Sequence, residues 1–148
     1  MAINPDLAGR SYPAAEPYLV GREKVREFAR AVKASNAAHY DLEAAGELGY
    51  REVVAPPTFA IIVAQRADAR LIADEDAGID FTRVVHADQR FTHHRPIVAG
   101  DELIAELHVD SVRGMGAGAM ITTRAEISTT DGEEVATTKS SIIVRGEE

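Results

Sequence analysis

Of the residues in this chain that could carry chemistry, the five histidines stand first, and His39 has the most suitable neighbours. It lies in Ala34-Ser35-Asn36-Ala37-Ala38-His39-Tyr40-Asp41, within three positions of an amide and two of a carboxylate. An imidazole beside Asn36 or Asp41 is a candidate acid–base pair, because proton transfer needs groups that meet at one small site. His39 would serve as well in an exposed loop or packed against a partner subunit. His86, His93 and His94 make a second group. Adjacent strand residues point to opposite faces, so His93 and His94 cannot hold one ion without a bulge. His86 and His94 share parity but lie roughly 26 Å apart along an extended strand, and no metal site is expected. His108 falls between Glu106 and Asp110 and reads as part of a solvated strand face. Gly114-Met115-Gly116-Ala117-Gly118 lacks the Lys-Ser/Thr and the following helix of a phosphate loop, which leaves a hairpin turn.

These residues need elements to hold them. Val25, Phe28, Ala29 and Val32 recur at helical spacing after Gly21, with Ser35 and Asn36 expected to end that helix. A short extended piece, Tyr18 to Val20, precedes it. Asp41 can cap a second short helix, Leu42 to Leu48, with Gly49 as its left-handed terminal residue. The segment Ala55-Pro56-Pro57-Thr58-Phe59 opens a third, since proline suits a first turn where its missing N–H has no partner. Phe59 to Ala64 is apolar all round and is expected to be buried on every side. Beyond Gln65, Arg66, Asp68 and Arg70 are expected to turn outward.

From Val84 onward the period changes to two. Val85, Ala87, Gln89 and Phe91 are expected to share one face of a strand, with His86, Asp88, Arg90 and Thr92 on the other. Leu103, Ala105, Leu107 and Val109 alternate in the next, and Asp131-Gly132 signals a hairpin. Antiparallel strands follow at about 84–94, 102–113, 119–129 and 134–144. Only the Thr58 helix can cover such a sheet. The pattern therefore predicts an α+β hot-dog fold, an antiparallel sheet wrapped around a central helix at about 57–73, as a single domain over 1–148. A ferredoxin-like arrangement would need helices between the later strands, where none is indicated.

The net charge of −8 is spread along the chain and repels phosphate backbones, so nucleic acid is not an expected partner. No run reaches the roughly 20 apolar residues of a membrane span, and no membrane association is expected. The absence of cysteine excludes disulfides and thiolate metal sites. The first dozen residues have no apolar signal-like stretch, which makes the cytoplasm the expected location.

Several stretches together resemble the MaoC-like dehydratases and R-specific enoyl thioester hydratases. They are Val20-Gly21-Arg22-Glu23 leading into Arg26 to Val32, Glu47-Leu48-Gly49-Tyr50, Ala55 to Phe59, Asp88-Gln89-Arg90-Phe91 and Pro96 to Asp101. The likeness is greatest to N-terminal-type MaoC domains, as in subunits A and C of the mycobacterial (3R)-hydroxyacyl-ACP dehydratase. The resemblance implies a hot-dog subunit that pairs with another and binds an acyl thioester on coenzyme A or acyl carrier protein, with no cofactor. In the family's catalytic branch an Asp-x-Asn-Pro-x-His loop follows the first helix, and a backbone N–H at the start of the central helix polarises the thioester carbonyl. Here the aspartate's place falls on Ala34 or Ser35, the Asn-Pro pair is missing, and Pro57 has no N–H. Any such donor would have to be Thr58 or Phe59.

The likeness also makes Tyr50, Pro57, Thr58 and Phe59 candidate substrate-binding residues, while Tyr50, Phe59, Ile62 and Val63 could equally be plain core. His39 is the one catalytic candidate. Two functions follow. The first is a substrate-binding subunit of a (3R)-3-hydroxyacyl thioester dehydratase, paired with a catalytic MaoC-like subunit. The alternative is a non-catalytic acyl-thioester binding or regulatory homodimer. Thioesterase activity ranks below both, because Thr58 to Ala64 contains no carboxylate.

Overall fold

Gly21 enters helix α1 (Arg22–Ala31) in an extended conformation, and Val25 and Ala29 turn inward, with Phe28 packed at the edge of the core. The helix stops earlier than Ser35 and Asn36. Lys33 takes a left-handed φ of 59°, and the Ala34 N–H closes on Ala29 O at 2.8 Å, which satisfies the terminal carbonyls before Ser35 is reached. Val32 is consequently exposed at the helix end. Asn36 instead caps a 3-10 turn, Ala37–His39, by accepting from the Ala38 N–H at 2.9 Å. Asp41 caps helix α2 (Leu42–Glu47) through the Glu43 N–H, and Gly49 follows with a φ of 91°, both as expected.

The computed structural model describes residues 3–146, so the outermost residues of the expected domain 1–148 lie outside it. Pro57 opens a 3-10 turn, Pro57–Phe59, that runs into helix α3 (Ala60–Ile72). Strands β1 (Ser11–Tyr12), β2 (Tyr18–Leu19), β3 (Val84–His93), β4 (Glu102–Met115), β5 (Gly118–Thr129) and β6 (Glu134–Val144) form one antiparallel sheet. Its order is β1-β4-β5-β6-β3, with β2 also on β4. The sheet curls over α3 without closing into a barrel, giving the α+β hot-dog fold. The turn at Gly116 and the hairpin at Gly132 fall where the glycines predicted them, both with positive φ. Ala60, Val63, Ala64, Ala67 and Leu71 of α3 meet Leu103, Leu107, Ile121 and Ile127 of the sheet in one core. Phe59 is fully buried beneath them, edge-on to Phe28 at 5.4 Å.

Two expectations fail for identifiable reasons. A bulge at Ala87 breaks the pairing of β3 with β6 between His86 and Asp88. The extra residue reverses the alternation, as a bulge must. Val84 and His86 before it share the concave side with Gln89, Phe91 and His93 after it, opposite Val144, Ile142, Ser140, Thr138 and Ala136. Val85 is left 43 % exposed on the outside.

The other concerns α3, which is not buried on every side. Ile61 and Ile62 are half-exposed, because the helix lies on β4, β5 and β6 and a single open sheet covers only one of its sides. Asp68, expected outside, is half-buried, and loss of water raises its carboxyl from 3.8 to about 6 against the opposing pull of His86.

Two outcomes test this packing. Phe59→Ala lowers unfolding free energy by about 3–5 kcal/mol in urea denaturation, as deletion of a buried aromatic ring does. Asp68 has a folded-state pKa above its unfolded one, so its contribution to stability is complete below 3.8 and is lost as pH rises through 6. Asp68→Asn should therefore stabilise the chain by about 1–2 kcal/mol at pH 7.5 and by nothing measurable near pH 3.5, read from paired urea titrations.

Candidate functional site

The segment after β3 turns back along the chain between α2 and α3, and this return builds the site. Val54 is bridged antiparallel to Val98, the Ala55 N–H donates to Ile97 O at 2.8 Å, and the Ala99 N–H donates to Val53 O at 3.0 Å. On its other side the Val54 N–H donates to Ala38 O at 3.0 Å, which ties in the His39 turn. The arm itself is locked by Asp101, which is only 3 % exposed. Its carboxylate accepts from Arg95 at 2.8 and 3.1 Å, from Arg51 at 2.7 Å and from the Val98 N–H at 2.9 Å. Hydrogen bonding to Asp101, the strongest influence on Arg95, holds that guanidinium above its ordinary range. Arg95 also meets Glu133, which joins the arm to the last hairpin.

Between this arm and the 36–57 segment lies a cleft of about 560 Å³. Its walls are largely apolar, from Leu48, Val54, Pro56, Pro57, Pro96 and Ile97, with Tyr50 and His39 on one side and His93 and His94 on the other. The His39 Nδ1 lies 2.6 Å from Val54 O. A carbonyl only accepts, so Nδ1 carries the proton and Nε2 is left as the acceptor in the neutral ring. His93 is held the opposite way, with Nε2 donating to Pro57 O at 2.7 Å and its ring stacked on Phe91.

Three of the five sequence-derived site residues meet here: His39, Tyr50 and Pro57. Thr58 is exposed at the start of the 3-10 turn and does not line the cleft, and Phe59 lies in the core. Neither candidate partner is bonded to His39. Asn36 lines the cleft but its Oδ1 is engaged by the Ala38 N–H, and Asp41 is engaged at the α2 cap. No carboxylate lines the cleft among the described residues. Sequence reading missed Leu48, His93, His94 and Arg95 as cleft residues. The available signal was Pro96 to Asp101, a stretch that carries the family resemblance and whose buried aspartate fastens the loop to the rest of the chain.

A family model for the FAS1-like dehydratase domain region matches residues 6–138. A UPF0336 protein of Leifsonia xyli subsp. xyli is 52% identical over 146 residues, which is 99% of this chain and 98% of that protein. Among solved structures, a chain of the HadBC (3R-hydroxyacyl-ACP dehydratase) complex of Mycobacterium tuberculosis superimposes with a TM-score of 0.87. The two are 36% identical, over 95% of this chain and 99% of that one. A MaoC-like dehydratase gives 0.86 at 38% identity, over 95% of this chain and 42% of that longer one. The chain belongs to the MaoC-like hot-dog dehydratases.

In this MaoC-like domain the start of α3 offers few donors. Pro57 has none, the Phe59 N–H is spent on Pro56 O at 2.9 Å, and the Ala60 N–H is spent on Thr58 O. The Thr58 N–H has no carbonyl partner among the backbone bonds of the described loops and turns. No helix among them is long and apolar enough to cross a membrane.

The Asp101 lock sets the cleft wall, and its removal leaves Arg95 with Glu133 alone and the Val98 N–H without its acceptor. Asp101→Ala should cost about 2–3 kcal/mol of stability, since it breaks a buried carboxylate's bonds to two guanidiniums and a backbone N–H. Arg51→Ala, whose own side chain is mostly exposed, should cost under about 1 kcal/mol in the same urea titration.

Proposed function

We propose that this chain is the substrate-binding subunit of a (3R)-3-hydroxyacyl thioester dehydratase, a cytoplasmic single-domain protein that works beside a catalytic MaoC-like subunit. The observation that carries this reading is the content of the cleft: apolar walls suited to an acyl chain, imidazoles held by backbone carbonyls, and no carboxylate among the described residues. Dehydration requires one group to take the α-proton and another to protonate the departing hydroxyl. His39 could take one part only, and its Nδ1 already serves Val54.

The HadBC (3R-hydroxyacyl-ACP dehydratase) structure is a complex, and its likeness over 95% of this chain supports a subunit that works in such a complex here. The same likeness supports an acyl thioester as substrate, carried on acyl carrier protein or coenzyme A. In the pair, Tyr50 and Pro57 would bound the acyl group, while the partner supplies the acid–base residues.

The test is hydration of a trans-2-enoyl thioester by the chain alone, by a dyad-bearing MaoC-like subunit alone, and by the two together. The pair should turn over at least about tenfold faster than either component, and full activity of this chain alone would sink the division of labour. In the active pair, Tyr50→Ala should raise KM by about tenfold at nearly constant kcat, as loss of a buried ring from a binding wall does. His39→Ala should leave kcat within about threefold, and a loss beyond 10²-fold would make His39 catalytic.

A further inference from the structure

Helix α1 and the residues just beyond it carry a charge opposite to that of the chain. Between 22 and 33, Arg22, Lys24, Arg26, Arg30 and Lys33 stand against Glu23 and Glu27, a local net charge of +3 in a protein of −8. Part of that charge is already engaged. Arg22 is held by Glu52 at 2.9 Å, Lys24 by Glu27 at 3.4 Å, and Arg26 by Glu23. Arg30 and Lys33 are exposed and make no ion pair among the described residues. Arg26 and Arg30 lie one turn apart on one face, and Lys33 follows at the helix end, about 10 Å from Arg26 at 1.5 Å per residue.

This stripe is fastened to the wall of the cleft. The Arg26 Nε donates to Tyr40 O at 2.9 Å, and the Arg30 guanidinium lies over the Tyr40 ring, 5.8 Å from its centroid. The Tyr40 hydroxyl donates to Ala34 O, and its ring meets that of His39 edge-on at 6.3 Å. Asn36, Ala38 and His39 of the same turn line the cleft. A guanidinium stacked on a ring is oriented before any partner arrives, so less freedom is lost on binding. Val32, 47 % exposed, adds an apolar point between Arg30 and Lys33.

The layout says what fits. A phosphate is held by donors that converge on one point. Here the Tyr40 ring takes one face of Arg30, and Lys33 leaves the helix with a φ of 59°, so the cations are strung out in a row. A row of cations matches a row of carboxylates on a protein surface. Beyond the His39 turn, α2 carries Asp41, Glu43 and Glu47, which repel an acidic partner and leave α1 as its approach. We propose that the Arg26–Lys33 stripe is the docking surface for an acidic carrier protein, which seats there and passes its acyl-bearing arm into the cleft past the His39 turn. This rests on the substrate-binding reading above. It adds that carrier recognition lies on this chain rather than on the catalytic subunit, through charges separate from the acyl cleft. The rest of a −8 chain repels an acidic protein, so the stripe fixes where the carrier lands as well as how fast it arrives.

The experiment offers the active pair one trans-2-enoyl group on two carriers, an acidic acyl carrier protein and coenzyme A. Arg30→Glu and Lys33→Glu combined should raise KM for the protein-borne substrate at least about tenfold relative to KM for the coenzyme A thioester, at nearly constant kcat. About 300 mM NaCl should raise the wild-type KM for the protein-borne substrate and erase most of its difference from the double variant. Arg113→Glu makes the same kind of charge change near the Gly116 turn, outside the cleft, and should leave that KM where it was. Circular dichroism should show each variant folded. Equal losses on both carriers, no loss on either, a KM indifferent to salt, or an equal loss in Arg113→Glu overturns the proposal. If no pair turns over, the dehydratase reading falls and binding of the acyl carrier protein to this chain alone decides the stripe. Affinity at low salt that the double variant weakens tenfold supports it, and absent binding or unchanged affinity overturns it.

Discussion

A single carboxylate, Asp101, holds the part of this molecule that makes it more than a helix against a sheet. With Arg95, Arg51 and the Val98 N–H converging on it, the 94–101 arm is bent back and laid along Val53–Ala55. The arm forms one wall of the cleft, and the bridge at Val54 passes the constraint to the His39 turn that forms the other. A buried carboxylate is costly unless its bonds are complete. Here completeness is achieved only in one arrangement of the arm, so the same cost that makes Asp101 awkward also makes the cleft's shape unique.

The second governing fact is that α3 has one covered side. A hot-dog sheet this open cannot enclose an apolar helix, and the helix keeps Ile61, Ile62 and Ile72 partly in water as a result. Substrate cleft and uncovered flank belong to different parts of the helix: the cleft meets its first turn at Pro57, and the flank runs toward its end at Ile72. A subunit that binds substrate at one end of a helix while leaving the other side apolar is suited to working in company.

Much of this was legible from residue order. The four long strands fell within two residues of their expected bounds, and Asp41, Gly49, Gly116 and Gly132 took the caps and turns that their chemistry demands. These are local features, decided by period and by backbone preference. The early end of α1 at Lys33 was not legible, since a lysine carries no bias toward positive φ. Nor was the cleft. His39, Tyr50 and Pro57 could be named from resemblance, but His93, His94 and Arg95 enter it only through contacts spanning about forty residues of chain, and no local period encodes that return. Asp68 was misplaced for a related reason. Its polarity argued for solvent, while its surroundings are set by a distant strand whose alternation had itself been misread.

That misreading has a consequence of its own. With one residue too many at Ala87, β3 is two half-strands in opposite phase, and the halves assign their sides independently. A homologue that lost this residue would pair without a break, His86 opposite Ile142 and Asp88 opposite Ser141, and would keep His86 toward the helix, whereas one that kept the residue but ran as a regular strand would turn His86 away and bring Val85 in. Which residues of the first half face the helix is therefore set by the bulge as much as by their order, and losing the bulge while keeping its residue re-sorts a whole half-strand, which no single substitution does.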